Sequence, residues 1–153
     1  MSWPLFGYEY ASILEPSFEF STFFKDNPKR KVILDIPSTL LFKSTQSVNS
    51  GDRLWFFSRE AFYMNWQTYH KQIIVGGANG YIPRWRLEVE TAVDELPSPR
   101  AIDYLKKLGV EYIVFHKNMI LFPDEDILPE LKRSGRLRLA TEGKSEVIFE
   151  IIP

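Results

Sequence analysis

Three groups of residues in this sequence are of types that chemistry uses. The first is the run Gly76-Gly77-Ala78-Asn79-Gly80-Tyr81-Ile82-Pro83. Glycines packed this densely supply positive φ, and successive backbone amides in such a turn can cradle an anion. A phosphate loop needs a lysine and a hydroxyl directly after its glycines, but Pro83-Arg84-Trp85 stand there instead. A dinucleotide fingerprint needs another glycine spacing, although the flanking strand and helix patterns fit. The run therefore reads as a tight structural turn or as a backbone nest. In the second case Gly77, Asn79, Gly80 and Tyr81 are its ligand-binding candidates.

The second group is the two histidines, His70 and His116. His116 follows an apolar run that ends at Phe115, and open α/β sheets bind ligands outside such carboxyl ends. His70 lies upstream of the glycines beside Tyr69, and both join the ligand-binding candidates. A metal would need a carboxylate as well. Asp35 and Asp124 are available, but their spacing forms no ligand pattern, and no metal site is predicted. The alternative is a histidine hydrogen-bonded at a strand end.

The third group is the carboxylates and serines. Asp94-Glu95 and Asp124-Glu125-Asp126 fall at predicted helix ends, where acids cap or meet the helix dipole. No Gly-x-Ser-x-Gly elbow is present, and there is no cysteine. Thiolate catalysis, disulfides and zinc–thiolate sites are thereby excluded. No catalytic residue and no cofactor follow from this chain taken alone. Aromatic residues crowd between Trp55 and Trp85: Phe56, Phe57, Phe62, Tyr63, Trp66, Tyr69 and Tyr81 lie between them. They could stack on a sugar or anchor a partner, or simply form a core.

The elements that must position these residues read as α/β. Phe18 to Lys25 has helical character, with Ser17 as cap and Asn27-Pro28 as terminator. Lys31 to Ile36 is a strand, with Val32, Leu34 and Ile36 on one face and Ile33 with Asp35 on the other. Pro37 ends it. Residues 43 to 52 form a polar loop. Leu54 to Ser58 is ambiguous between strand and helix. The alternation of Phe62, Met64 and Trp66 against Tyr63 and Asn65 predicts a strand over Ala61 to Thr68. Gln72 to Val75 is another strand. Trp85, Val89, Ala92, Val93 and Leu96 recur at helical spacing up to Pro97. Ser98-Pro99 opens a helix with Ala101, Tyr104, Leu105 and Leu108 on one face and Gly109 as its stop. Val110 to Phe115 is a strand buried on both faces. Ile127 to Ser134 is a helix with Asp126 as cap, ended by Gly135. Arg136 to Ala140 and Glu146 to Ile152 form a hairpin, with Leu137 and Leu139 packed on Val147, Phe149 and Ile151. This order predicts a mixed, mostly parallel sheet with flanking helices and a C-terminal antiparallel hairpin. Residues 1–16, with Trp3, Phe6, Tyr8 and Tyr10, read as a juxtamembrane or linker segment, and residues 17–153 as one soluble domain.

The chain has 153 residues, 44% hydrophobic and 25% charged, with a formal net charge of -1. That is enough apolar material for a core and too little positive charge for a nucleic-acid face. The basic clusters Lys29-Arg30-Lys31 and Arg133, Arg136, Arg138 read as solvated element ends. No window reaches the roughly 18 apolar residues that span a bilayer, and the opening residues do not read as a signal peptide.

Four pieces stand in a fixed order: Val32-Ile33-Leu34-Asp35-Ile36-Pro37, then Tyr63-Met64-Asn65-Trp66-Gln67-Thr68-Tyr69-His70, then Gly76 to Pro83, then Leu105 to His116. Together they resemble the C-terminal soluble region of bacterial and archaeal multi-spanning membrane proteins of the GT-C glycosyltransferase type. The resemblance covers about residues 17 to 118. It departs at the glycine turn, where the usual preceding asparagine is Val75 or Gly76 and Asn79 comes later. The resemblance implies an extracytoplasmic domain at the cell membrane, partnered by its own transmembrane portion outside this chain. It implies a non-catalytic role, such as helping to bind a lipid-linked sugar or a glycan acceptor. The catalytic carboxylate of such enzymes sits near the membrane helices, so none is carried over. A structural or protein-interaction module without ligand is the alternative, and a small stand-alone enzyme the third reading.

Overall fold

The computed structural model describes residues 18–25, 29–37, 61–76, 84–120 and 126–153. The N-terminal segment, the Ser17 cap, the Asn27-Pro28 stop, the polar loop 43–52, the Leu54–Ser58 run, Gly77 to Pro83 and Asp124 lie outside them. The described elements are α1 (Phe18–Lys25), β1 (Val32–Ile36), α2 (residues 61–70), β2 (Ile73–Ile74), α3 (Arg84–Asp94), α4 (Pro99–Lys107), β3 (Tyr112–His116), a 3-10 turn (Lys117–Met119), α5 (Leu128–Arg133), β4 (Leu137–Glu142) and β5 (Glu146–Ile151). The strands form one five-stranded sheet in the order β2-β1-β3-β5-β4. β1 runs parallel to β2 and β3, whereas β5 is antiparallel to both β3 and β4. The architecture is thus the mixed α/β sheet with a C-terminal hairpin that the pattern predicts.

Strand pleating sends alternate residues to opposite faces, and it divides the core in two. Leu34, Ile36, Ile113, Phe115, Val147, Phe149 and Ile151 pack with Val89, Ala92, Ala101, Ile102, Leu105 and Leu131, which come from α3, α4 and α5. Ile33, Tyr112, Val114 and Ile148 pack on the other face with Phe20 and Phe24 of α1 and with Phe62, Tyr63 and Trp66 of α2. β3 is buried along its whole length because it lies mid-sheet between these layers.

Residues 61–70 are helical rather than extended. The buried positions are Phe62, Tyr63, Trp66 and His70, while Met64 and Tyr69 are exposed. That spacing is a helical stripe, and the apparent alternation arose because Met64, apolar by type, points to solvent. The helix ends on Lys71, whose φ of 59° is left-handed. Its amide donates to Gln67 O at 2.9 Å.

In α3 the stripe is also shifted. Trp85 is exposed, and the position over the sheet edge is taken by Arg86. Arg86 Nη1 donates to Val75 O at 2.7 Å, and its Nη2 lies 2.9 Å from Glu90 Oε1, with both side chains buried.

α4 follows its capping signals closely. Ser98 Oγ accepts from the Ala101 amide at 3.2 Å, and Pro99 opens the helix. At its far end Gly109 N donates to Lys106 O and Val110 N to Leu105 O, the paired bonds of a Schellman stop. Gly109 has φ 84°. Ile102 rather than Leu108 completes the buried face, because Leu108 lies past the last turn.

α5 starts at Leu128 with Ile127, not Asp126, at its N-cap position, and Asp126 one residue earlier only accepts from the Leu128 amide at 3.4 Å. It stops at Arg133, and Gly135 shows no left-handed φ. Leu139 is half exposed although it faces Phe149, because β4 is an edge strand with a neighbour on one side only. Three basic residues of the two clusters are paired: Lys31, just before β1, with Glu111, Arg136, just before β4, with Asp103 in mid-α4, and Arg138 within β4 with Glu150.

The two left-handed positions make opposite predictions. Lys71→Gly relieves a side chain held at positive φ and is expected to raise stability by about 0.5–1 kcal/mol. Gly109→Ala imposes the same strain and is expected to cost about 1 kcal/mol, although a Cβ there would touch nothing within 4 Å. Urea midpoints of the two variants check both signs.

Candidate functional site

The connection leaving β1 leads to α2 on one face of the sheet, and β3 leads on to α5 on the other. In open α/β sheets, ligands usually lie beyond the carboxyl ends of adjacent parallel strands whose connections part in this way. Asp35 and His116 sit at those carboxyl ends, and both are buried. β1 places Asp35 one residue before its end, on the face shared with Ile33. β3 ends on His116, on the face shared with Tyr112 and Val114. In β5 the residue directly opposite His116 is Glu146.

Pleating thus brings three polar side chains from three strands to one spot, and all are buried: Asp35 is 7% exposed, His116 1% and Glu146 5%. His116 Nε2 lies 2.8 Å from Asp35 Oδ1. Its Nδ1 lies 3.9 Å from Glu146 Oε1, too far for a direct hydrogen bond. The Tyr63 ring stacks on the imidazole, with centroids 5.0 Å apart, and its hydroxyl donates to Pro37 O at 2.9 Å. Trp66 and Phe20 close the cluster at 4.9 and 5.8 Å. Burial alone would lower the His116 pKa. The bond to Asp35 and the nearby Glu146 carboxylate outweigh it and hold the ring above its ordinary value.

His70 has the opposite setting. It is 2% exposed at the end of α2, edge-on to Phe20 at 5.1 Å. Its Nδ1 accepts from the Gln72 amide at 3.0 Å, which requires an unprotonated Nδ1. Burial, aided by His116 and Lys71 against the pull of Asp35, lowers its pKa to about 4. The corner it anchors is densely bonded. Gln72 Nε2 donates to His70 O, Gln67 Nε2 to Gln72 O, and Lys31 N to Gln72 Oε1.

The structure therefore brings both histidines to one ring-lined layer, since Phe20 touches each. Tyr69, on the other side of α2, is half exposed. Gly77, Asn79, Gly80 and Tyr81 lie outside the described residues. Sequence reasoning weighed Asp35 only as a metal ligand and left Glu146 aside. A carboxylate inside the apolar run Val32 to Ile36 was the available signal, because a buried acid requires a partner. Among the described residues no cluster of histidines and acids has a metal-holding arrangement. No helix among them is long and apolar enough to cross a membrane.

Chemically, His116 is poorly placed for acid–base catalysis, since both ring nitrogens face carboxylates and rings seal the rest. A separate shallow depression of about 480 Å³ lies on the opposite face of the sheet, lined by Pro97, Pro99, Glu130, Arg133 and Arg136. Arg136 there is already paired with Asp103. In comparisons with known proteins, no family model matches the chain and no curated protein matches it significantly.

Proposed function

We propose that this chain is a non-catalytic soluble domain on the extracytoplasmic side of a GT-C-type, multi-spanning membrane glycosyltransferase-like protein. The observation that supports it most directly is convergence. Three of the four ordered sequence pieces that carry the resemblance meet in one buried cluster, through Asp35 and Pro37, Tyr63 and His70, and His116. Those residues act on each other. This favours a role in building the domain that packs on its own transmembrane portion, over a role in turnover. Help in binding a lipid-linked sugar or a glycan acceptor then falls to Tyr69 and the glycine run.

The absence of cysteine makes location directly testable. Lys107 is exposed on α4. The whole reading frame that encodes this chain, carrying Lys107→Cys, is expressed in its host and treated with a membrane-impermeant maleimide, with the unsubstituted protein as background. Labelling of intact cells is the expected result. Labelling only after lysis, or recovery of the protein in the soluble fraction, removes the reading.

A further inference from the structure

The position of His116 between two carboxylates has a consequence that stands whether or not the chain belongs to a membrane protein. At this end of the sheet the backbone register runs to Ile36 beside Phe115 and His116 beside Glu146, and side chains add a second set of ties. β1 ends at Pro37, which has no amide to donate, and Tyr63 takes up the Pro37 carbonyl. Beyond His116 the backbone link to the hairpin is the Lys117 amide on Ser145 O, at 2.8 Å.

The groups facing the imidazole come from each neighbouring element. β1 contributes Asp35, and β5 contributes Glu146. α2 contributes the rings of Tyr63 and Trp66, with His70 at its end, and α1 contributes Phe20. Lys117, next in the chain, directs its ammonium to Glu142 and Gly143 O instead. A neutral imidazole carries one N–H. If that donates to Asp35, the unprotonated Nδ1 lies 3.9 Å from the Glu146 carboxylate with no charge to attract it. An imidazolium carries an N–H on each nitrogen and places a positive charge between the two carboxylates, in a buried setting where charges interact strongly.

We infer that His116 is a proton-operated clamp: charged, it ties Asp35 of β1 and Glu146 of β5 across β3, and loss of its proton loosens this end of the sheet. The clamp opens toward alkaline pH, opposite in sense to the acid switches that most exposed histidines provide. Its test is the protonation state of the ring, read alongside backbone protection in the same full-length chain. With uniform ¹⁵N labelling, both ring nitrogens of His116 are expected to be protonated at about pH 7. On titration toward about pH 10, their deprotonation should coincide with a fall of tenfold or more in the amide protection factors of Phe115, His116 and Val147. Protection in α4 should be unchanged over that range. Glu146→Gln, which keeps the shape and removes a charge, should lower the midpoint of His116 deprotonation by about one pH unit. A neutral His116 ring at pH 7 overturns the inference. So does deprotonation that leaves the three protection factors unchanged, or a Glu146→Gln midpoint equal to that of the parent chain.

Discussion

Asp35→Ala is expected to cost about 3–5 kcal/mol of folding stability at neutral pH, the scale for removing one partner of a buried ion pair. The reason is the burial of what remains. His116 is 1% exposed and loses the acceptor 2.8 Å from its Nε2, beneath the rings of Tyr63 and Trp66. Against a total of roughly 5–15 kcal/mol for a domain, that is about a fifth of the whole or more. Asp35→Asn retains an acceptor and discards the charge, and should lose less. Urea denaturation of Asp35→Asn, His116→Gln and the double variant measures the coupling. If the pair acts as a unit, the double variant loses clearly less than the two single losses combined. Strict additivity would mean that the two side chains merely occupy adjacent space.

Acid should destabilise the fold through the other histidine. The folded chain holds His70 at a pKa of about 4, and the unfolded chain returns it to 6.5. Between those values the unfolded state binds the extra proton. The contribution is therefore complete above pH 6.5 and is lost as pH falls toward 4. The slope reaches about 1.4 kcal/mol per pH unit, and the total is roughly 3 kcal/mol. Carboxylates titrate over part of the same range, so a difference experiment is needed. His70→Asn supplies an amide oxygen where Nδ1 accepts from the Gln72 amide and carries no proton-binding site. Stability measured from pH 7 to pH 4 should fall by about 3 kcal/mol more in the parent than in His70→Asn. Parallel curves for the two would place the His70 ring in contact with solvent. His116 contributes with the reverse sign. Its raised pKa means that its share is full below 6.5 and is lost as pH rises through the folded value. Two histidines of one domain thus bound its stability from opposite sides.

Much of the scaffold was legible in the chain because it rests on local rules. The strand Val32 to Ile36 announces both its faces by alternation, and the structure sends Leu34 and Ile36 to one core layer and Ile33 to the other. Ser98-Pro99 and Gly109 mark α4 at both ends through backbone chemistry that needs no distant partner. The hairpin of β4 and β5 lies where its turn residues put it. Local reading failed where residue type and exposure diverge. Met64 faces water and Arg86 lies in the interior, so α2 resembled a strand and the α3 stripe was drawn through Trp85. An apolar pattern reports what can be buried, whereas packing against the sheet decides what is.

By itself the sequence determined the α/β class, the two-faced strands, the capped helix and the absence of thiol chemistry. Each of these depends on neighbours a few residues apart or on composition alone. Only the tertiary structure decided that Asp35, His116 and Glu146 meet. They lie 81 and 30 positions apart along the chain and are joined through the parallel register of β1 with β3 and the antiparallel register of β3 with β5. It also decided that the two histidines, equal by type, carry opposite electrostatics. One accepts from a backbone amide in an apolar corner, and the other lies between two acids. A side chain's charge state is set by what surrounds it in space, and nothing in its position along the chain encodes that.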